Sequence, residues 1–335
     1  MTDRAYDPEL AEVVALMPTV VDWPDPSGMP AMREAGGLLV PDVAARPDVR
    51  REDRKIPGRP GDPDVAVRIY RPTAAVDGLL PAVVEIHGGG FVTGSLEMMD
   101  AFCDAVAAEL PSVVVSVDYR LAPEHPFPAG VDDCYAALVW LAEHAAELGV
   151  DADRIAISGQ SAGGGLAAGT ALMARDRGGP ALCFQLLDIP ELDDRLDTPS
   201  MEAFVDTPLW NRPNAVRSWS WYLGSDDLPG SDDVSIYAAP ARADDLAGLP
   251  PTFVSVCGFD PLGDEGLVYA MRSSGRADRS STPTPAPSTA RASCAAAGAS
   301  GRHARQLRRA AAAPSADPPM GRQTRARASA SSEPS

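Results

Sequence analysis

Four short runs do most to restrict what this chain can become: "AVVEI" at 82–86, "VVVSV" at 113–117, "RIAIS" at 154–158 and "TFVSV" at 252–256. Each is apolar, rich in β-branched residues and without polar alternation, the pattern of strands buried on both faces. The segments between them are long enough for helices. In "VDDCYAALVWLAEHAAELG", Val131, Tyr135, Leu138, Leu141 and Leu148 fall on one stripe. Strands alternating with helices require crossover connections, so the expected fold is α/β with a mostly parallel central sheet flanked by helices. A further run, "VAVRIYRP" at 65–72, alternates Val65, Val67 and Ile69 with Ala66, Arg68 and Tyr70, which predicts a half-exposed strand. Residues 1–50 mix the helical pattern "PELAEVVALM" with the turns of "DWPDPSGMP", and suit a helical cap better than a sheet.

The pattern stops at Met271. From Arg272 to Ser335 there are eleven Arg and three acids, with no Trp, Tyr, Phe, Ile or Val, a composition that predicts a disordered tail. Of the net charge of -18, residues 1–271 hold 18 basic and 44 acidic side chains, so the acidity belongs to the body. That acidity repels phosphate backbones and anionic lipid, which makes nucleic acid and membrane poor partners and favours a small molecule. Cys103, Cys134, Cys183, Cys257 and Cys294 are odd in number and contain no C-x-x-C pair, which argues against a disulfide framework and a zinc site. The N-terminus is acidic and has no apolar core before a cleavage site, so a cytoplasmic location is expected.

Two glycine-rich motifs carry the chemistry. "GQSAG" at 159–163 follows "RIAIS" and opens the small-residue segment "AGGGLAAGTALMARD". A strand, a sharp turn and a helix are the context a nucleophilic serine needs, because the turn exposes the hydroxyl and the helix N-terminus favours developing negative charge. Alone, G-x-S-x-G arises by chance in roughly one chain in ten of this length. "HGGGF" at 87–91 follows "AVVEI" and frees backbone N–H groups to face a substrate oxygen, the device of an oxyanion hole. A plain flexible turn is the commoner fate of such a loop. Both motifs, however, sit at the carboxyl ends of expected parallel strands, where α/β sheets place their sites.

With these residues in hand, the chain resembles the hormone-sensitive-lipase-like branch of the α/β-hydrolases, bacterial carboxylesterases in particular. "HGGGFVTGS", "VDYRLAPEHPFPAG", "ISGQSAGGGLAAG", "IPELDDRLDTPS" and "VCGFDPLGDEGLVYA" match its pattern in order and spacing over roughly residues 50–271. The resemblance implies an α/β-hydrolase core at 51–271, a cap made by residues 1–50 and an insertion at about 190–225, and hydrolysis of small carboxylic esters without metal or cofactor. It makes Ser161 the nucleophile, Gly89, Gly90 and Ala162 the oxyanion donors, and Asp260 the acid of the triad. Asp264 and Glu265 read instead as charges at the start of a helix. Phe204, Trp210, Trp219, Trp221 and Tyr222 either line an acyl pocket or pack the cap. Gln160 departs from the pattern, since many members carry Asp there. A second reading is a non-catalytic small-ligand receptor on the same fold.

The base is the gap. His87 belongs to the glycine loop and precedes the nucleophile, His125 lies in a Pro-bounded loop, and His144 stands beside Glu143 on a helix, where solvation is expected. Only His303 follows Asp260, and it lies in the tail. The segment "STPTPAPSTA" at 281–290 offers an explanation. If the third base of each codon is joined to the first two of the next, the codons ending within Thr284 to Ala290 admit Tyr, Pro, Gly, Thr, Phe, His, Gly. That is the segment this family carries around its catalytic histidine. The tail is therefore read as an out-of-frame translation.

Overall fold

The computed structural model describes residues 14–15, 23, 25–37 and 44–273. A seven-stranded sheet runs through it: β1 (Val49–Ile56), β2 (Val65–Pro72), β3 (Leu80–Ile86), β4 (Val113–Asp118), β5 (Val150–Gln160), β6 (Phe184–Asp188) and β7 (Thr252–Ser255). Their order is β1-β2-β4-β3-β5-β6-β7. β1 pairs antiparallel with β2 and β2 antiparallel with β4, while β4, β3, β5, β6 and β7 pair in parallel. The parallel strands β3 and β4 are buried almost throughout, as their unbroken apolar runs require.

Helices α1 (Met29–Gly37), α2 (Leu96–Glu109), α3 (Ala129–Glu143), α4 (Ala162–Arg177), α5 (Pro199–Ala203), α6 (Arg212–Leu223) and α7 (Gly263–Ser273), with two short 3-10 helices at Pro26–Gly28 and Pro240–Arg242, complete the described elements. One apolar cluster includes α3, α4, α6 and the β3, β4 and β5 side chains facing them. A second, smaller cluster joins α2 to Tyr70, Val83, Val114 and Ala156. α4 is buried along most of its length, and its glycines explain how it lies so close to the sheet. A Cβ at Gly163 would stand 2.2 Å from the Ile86 carbonyl, and one at Gly169 2.3 Å from the Tyr237 carbonyl.

Four details differ from the sequence reading. Tyr70, expected on the exposed face of its strand, is fully buried under α2, where its hydroxyl donates to Asp100 at 2.6 Å. The sheet has two strands more than expected, since the charged run "VRREDRKI" forms the edge strand β1 and "FQLLD" forms β6 between β5 and β7. Helix α3 ends at Glu143, so Leu148 reaches the core from beyond it. His144, expected to be solvated, is half-buried at that end and stacks on Trp140 with ring centroids 4.8 Å apart. Cys103, Cys134 and Cys183 are free thiols. The tail, with His303 and Cys294, lies outside the described residues, as does most of residues 1–24.

The insertion expected at about 190–225 contains α5 and α6. It meets the N-terminal segment through Trp23, which stacks on Trp221 at 5.6 Å and tilts against Trp210 at 6.1 Å. Arg217 of α6 donates to the Trp23 carbonyl at 2.9 Å. Arg33 of α1 donates to the Val92 and Ala122 carbonyls, each at 2.7 Å, and pairs with Glu124 at 2.8 Å. Both segments therefore sit over the carboxyl edge of the sheet.

Candidate active site

Ser161 lies between β5 and α4 with φ 56° and ψ -121°, a left-handed turn that an L-residue adopts only when its surroundings impose it. Its amide donates to the Asp188 carbonyl at 2.8 Å, and its carbonyl accepts from Gly165 at 3.1 Å and Glu191 at 3.0 Å. Flanking glycines make the turn sterically possible, because a Cβ at Gly159 would stand 2.1 Å from the Gly163 carbonyl. The serine remains half-exposed while its neighbours from Ala162 onward are buried.

The glycine loop after β3 packs directly on this turn. A Cβ at Gly88 would lie 3.4 Å from Ser161 Cβ. Gly89 and Gly90 have φ 124° and 59°. The Gly89 carbonyl accepts from Val92 at 3.1 Å, Thr93 at 2.9 Å and the Thr93 hydroxyl at 3.0 Å. In a trans peptide this turns the Gly90 N–H the opposite way. Among the described residues no backbone carbonyl accepts from the Gly89, Gly90 or Ala162 amides. Three amides left without a backbone acceptor beside a strained serine are able to donate to developing negative charge.

His87 secures the loop. It is fully buried, stacks on Tyr119 at 4.2 Å, and its Nδ1–H donates to the Gly88 carbonyl at 2.8 Å. Burial pushes its pKa down to about 4, so it stays neutral. His125 is exposed in its loop, and His144 lies at the far end of α3.

Asp260 follows β7 and is 4% exposed. One carboxyl oxygen accepts from the Leu262 amide at 2.9 Å. Burial is the largest cause, and the Asp188 charge a lesser one, of a pKa raised to about 7. Asp264 and Glu265 do start α7, and they also tie it to the insertion. Asp264 accepts from the Ser200 amide at 2.8 Å, and buried Glu265 accepts from Leu192 at 2.6 Å. The aromatic residues of the insertion mainly pack. Trp219 and Tyr222 are buried against Phe91 of the glycine loop, with Tyr222 stacked on it at 4.0 Å, while Phe204 meets Phe259 edge-on at 6.3 Å. Two acids of this region escaped the sequence reading: Asp188 at the end of β6, and Glu191 in the loop that follows. Their signal was an acid placed at the end of a short apolar strand, "FQLLD", and at the turn after it.

A serine on a strained strand-to-helix turn, with a glycine loop packed beside it at the carboxyl edge of a parallel sheet, defines the α/β-hydrolase architecture. Residues 83–282 match the family described as the alpha/beta hydrolase fold. Carboxylesterase NlhH of Mycobacterium tuberculosis is 46% identical over 224 residues, covering 67% of this chain and 69% of that protein. Esterase LipI of the same species is 42% identical over 267 residues, covering 79% and 81%. Among solved structures, a bacterial heroin esterase matches with a TM-score of 0.82 and 44% identity over 92% of this chain and 98% of that one. A hyperthermophilic esterase from the archaeon Pyrobaculum calidifontis matches with 0.78 and 34% identity over 92% and 100%. The chain belongs to the α/β-hydrolase superfamily, in its hormone-sensitive-lipase-like bacterial carboxylesterase branch.

Proposed function

We propose that this chain hydrolyses small carboxylic esters through Ser161, and that its turnover is impaired for want of a triad histidine among the described residues. The observation that carries this reading is the strained Ser161 turn lying against Gly88. Ser161 Oγ forms a bond to the carbonyl carbon while its proton passes to a base. The carbonyl oxygen takes the electron pair and is held by the Gly89, Gly90 and Ala162 amides. Collapse expels the alcohol with that proton, and water then releases the acid by the same route. Asp260 is read as the acid that would orient a histidine. None of the three described histidines is bonded to Asp260 or Ser161, and His303 lies outside the described residues. The segments around residues 1–50 and 190–225 act as a cap over the ester. Water, rather than a well-placed imidazole, then accepts the serine proton, so a slow rate is expected.

The test is to treat the full chain with a fluorophosphonate and digest it, and to follow p-nitrophenyl acetate hydrolysis in parallel. A phosphonyl adduct on Ser161, with hydrolysis lost in Ser161→Ala, is expected. Hydrolysis that survives the substitution, or an adduct formed on another residue in place of Ser161, overturns the assignment. Stoichiometric binding of a small ester with neither adduct nor turnover is the outcome that marks a receptor.

A further inference from the structure

The glycine loop is held from the side opposite Ser161. Ser218 of α6 donates its hydroxyl to the Gly90 carbonyl at 2.7 Å, across 128 residues of sequence and fully buried. The ring of Trp210 closes over the same glycine, since a Cβ there would meet it at 2.5 Å. Behind Ser218 stands Glu191. Its carboxyl is fully buried, and both oxygens lack a well-formed hydrogen bond, yet the Ser218 hydroxyl faces it. A buried acid left in this state costs stability unless it does something for its neighbours. The Ser218 proton is already committed to Gly90, so Ser218 Oγ has only lone pairs to offer. Glu191 must therefore be the donor of any bond between the two.

We propose that Glu191 and Ser218 form a positioning relay, in which the carboxyl proton of Glu191 is donated to Ser218 Oγ and the Ser218 proton to the Gly90 carbonyl. With Gly89 O held by Val92 and Thr93 and Gly90 O held by Ser218, both peptide planes around Gly90 are fixed. The Gly90 amide then has one direction, toward the ester oxygen. Helix α6, which covers the site, thus sets the oxyanion hole as well. Burial, with Asp260 as a neighbouring charge, drives the Glu191 pKa well up against a smaller downward pull from the Ser218 hydroxyl, and supports the protonated form. The other titratable groups that face it are Glu265, Tyr119 and Tyr222, all of them buried. This inference rests on the assignment of Gly90 as an oxyanion donor.

The experiment compares Ser218→Ala, Glu191→Leu and Glu191→Gln in the full chain. The Gln amide keeps a donor for Ser218 and the Leu side chain does not. The first readout needs no turnover: the Gly90 and Phe91 amide resonances of the isotopically labelled protein. S218A and E191L should move both resonances along the same direction, and E191Q should leave them near their native positions. The second readout is p-nitrophenyl acetate hydrolysis. S218A and E191L should lower kcat about tenfold with KM changed less than about twofold, because the lost interaction matters most in the transition state. The double variant should be no slower than S218A alone. S218A carries the comparison if E191L fails to fold. Unmoved amides in S218A, or an E191Q indistinguishable from E191L, overturn the relay. Hydrolysis that persists in Ser161→Ala would instead sink the esterase reading, while the amide shifts still report on the relay.

Discussion

Gln160 and Asp188 are register partners at the carboxyl ends of β5 and β6, and the Gln160 side-chain amide donates to the Asp188 carboxylate at 3.1 Å. The Ser255 hydroxyl, from the next register position on β7, donates to the other oxygen of the same carboxylate. Three strand ends are thereby joined beneath the Ser161 turn, whose amide rests on the Asp188 carbonyl. This accounts for glutamine where many family members carry aspartate. The negative charge is present, but one strand over, and an acid at 160 would face another acid.

Gln160→Glu is accordingly expected to destabilise the protein by about 1–3 kcal/mol at pH 8, since it sets two carboxylates at hydrogen-bond distance. Like-charge repulsion raises the pKa of the pair above its unfolded value, so the lost stability should return as the pH falls toward 5. Urea midpoints at the two pH values check this. A midpoint equally low at both would mean that the loss is one of shape and not of charge.

Much of this site was legible because its motifs are contiguous. "GQSAG" and "HGGGF" each contain their own turn glycines, and the apolar runs before them predict the strands that aim them. What stayed hidden depends on contacts between distant segments. Asp188 and Glu191 acquire their roles only when β6 is laid beside β5 and α6 is folded over the loop. The strand β1 was hidden for a different reason. "VRREDRKI" lacks an apolar run because it is an edge strand whose Arg51 is neutralised by Asp100 and Asp104 of α2, both 2.6 Å away. Period-two alternation assumes one wet face for Tyr70, whereas α2 covers it and sets Asp100 against its hydroxyl.

Glu85 should make stability fall with rising pH. It is buried in β3 opposite Ser158, and burial raises its pKa from 4.5 to about 8. A raised acid binds its proton more tightly when folded. Its contribution is therefore fully present below about pH 4.5 and lost as the pH climbs through 8. Asp260 adds to the same slope between 3.8 and about 7. Unfolding free energy should drop by a few kcal/mol, in order of magnitude, between pH 5 and pH 9. Glu85→Gln should flatten most of the upper part of that slope, as read from denaturant titrations at several pH values. An unchanged slope would show that Glu85 is ionised in the native state.

Gly163→Ala should be among the most damaging small substitutions. Its Cβ would lie 2.2 Å from the Ile86 carbonyl and 2.4 Å from that of His87, and backbone oxygens at the end of a central strand cannot swing aside as a side chain can. Either α4 lifts off the sheet or the glycine loop moves away from Ser161. Destabilisation of about 2 kcal/mol or more is expected. Fluorophosphonate labelling of Ser161 should slow even in the fraction that remains folded. Wild-type stability together with wild-type labelling would mean that the close approach of helix and strand is relaxed in solution.

The reading frame after Met271 is the remaining prediction. A well-packed sheet rarely leaves neighbouring apolar residues uncovered, yet Val256 just past β7 is 43% exposed, and Leu267 and Val268 of α7 are 47% and 51% exposed. The sequence that resumes in the shifted frame carries the expected histidine about 29 residues after Asp260, counted along the chain. Ser288 must then be encoded TCC and Pro287 must end in T, because only those bases complete His and Phe. Sequencing the coding DNA across residues 270–295 decides the matter directly. Restoring the frame should raise p-nitrophenyl acetate turnover by on the order of 10³ or more, the loss expected when a serine nucleophile has no base. It should also cover Val256, Leu267 and Val268, seen as slower hydrogen exchange in β7 and α7. Any Ser288 codon that does not end in C removes the hidden histidine and leaves His303 as the one histidine after Asp260 to test as the base.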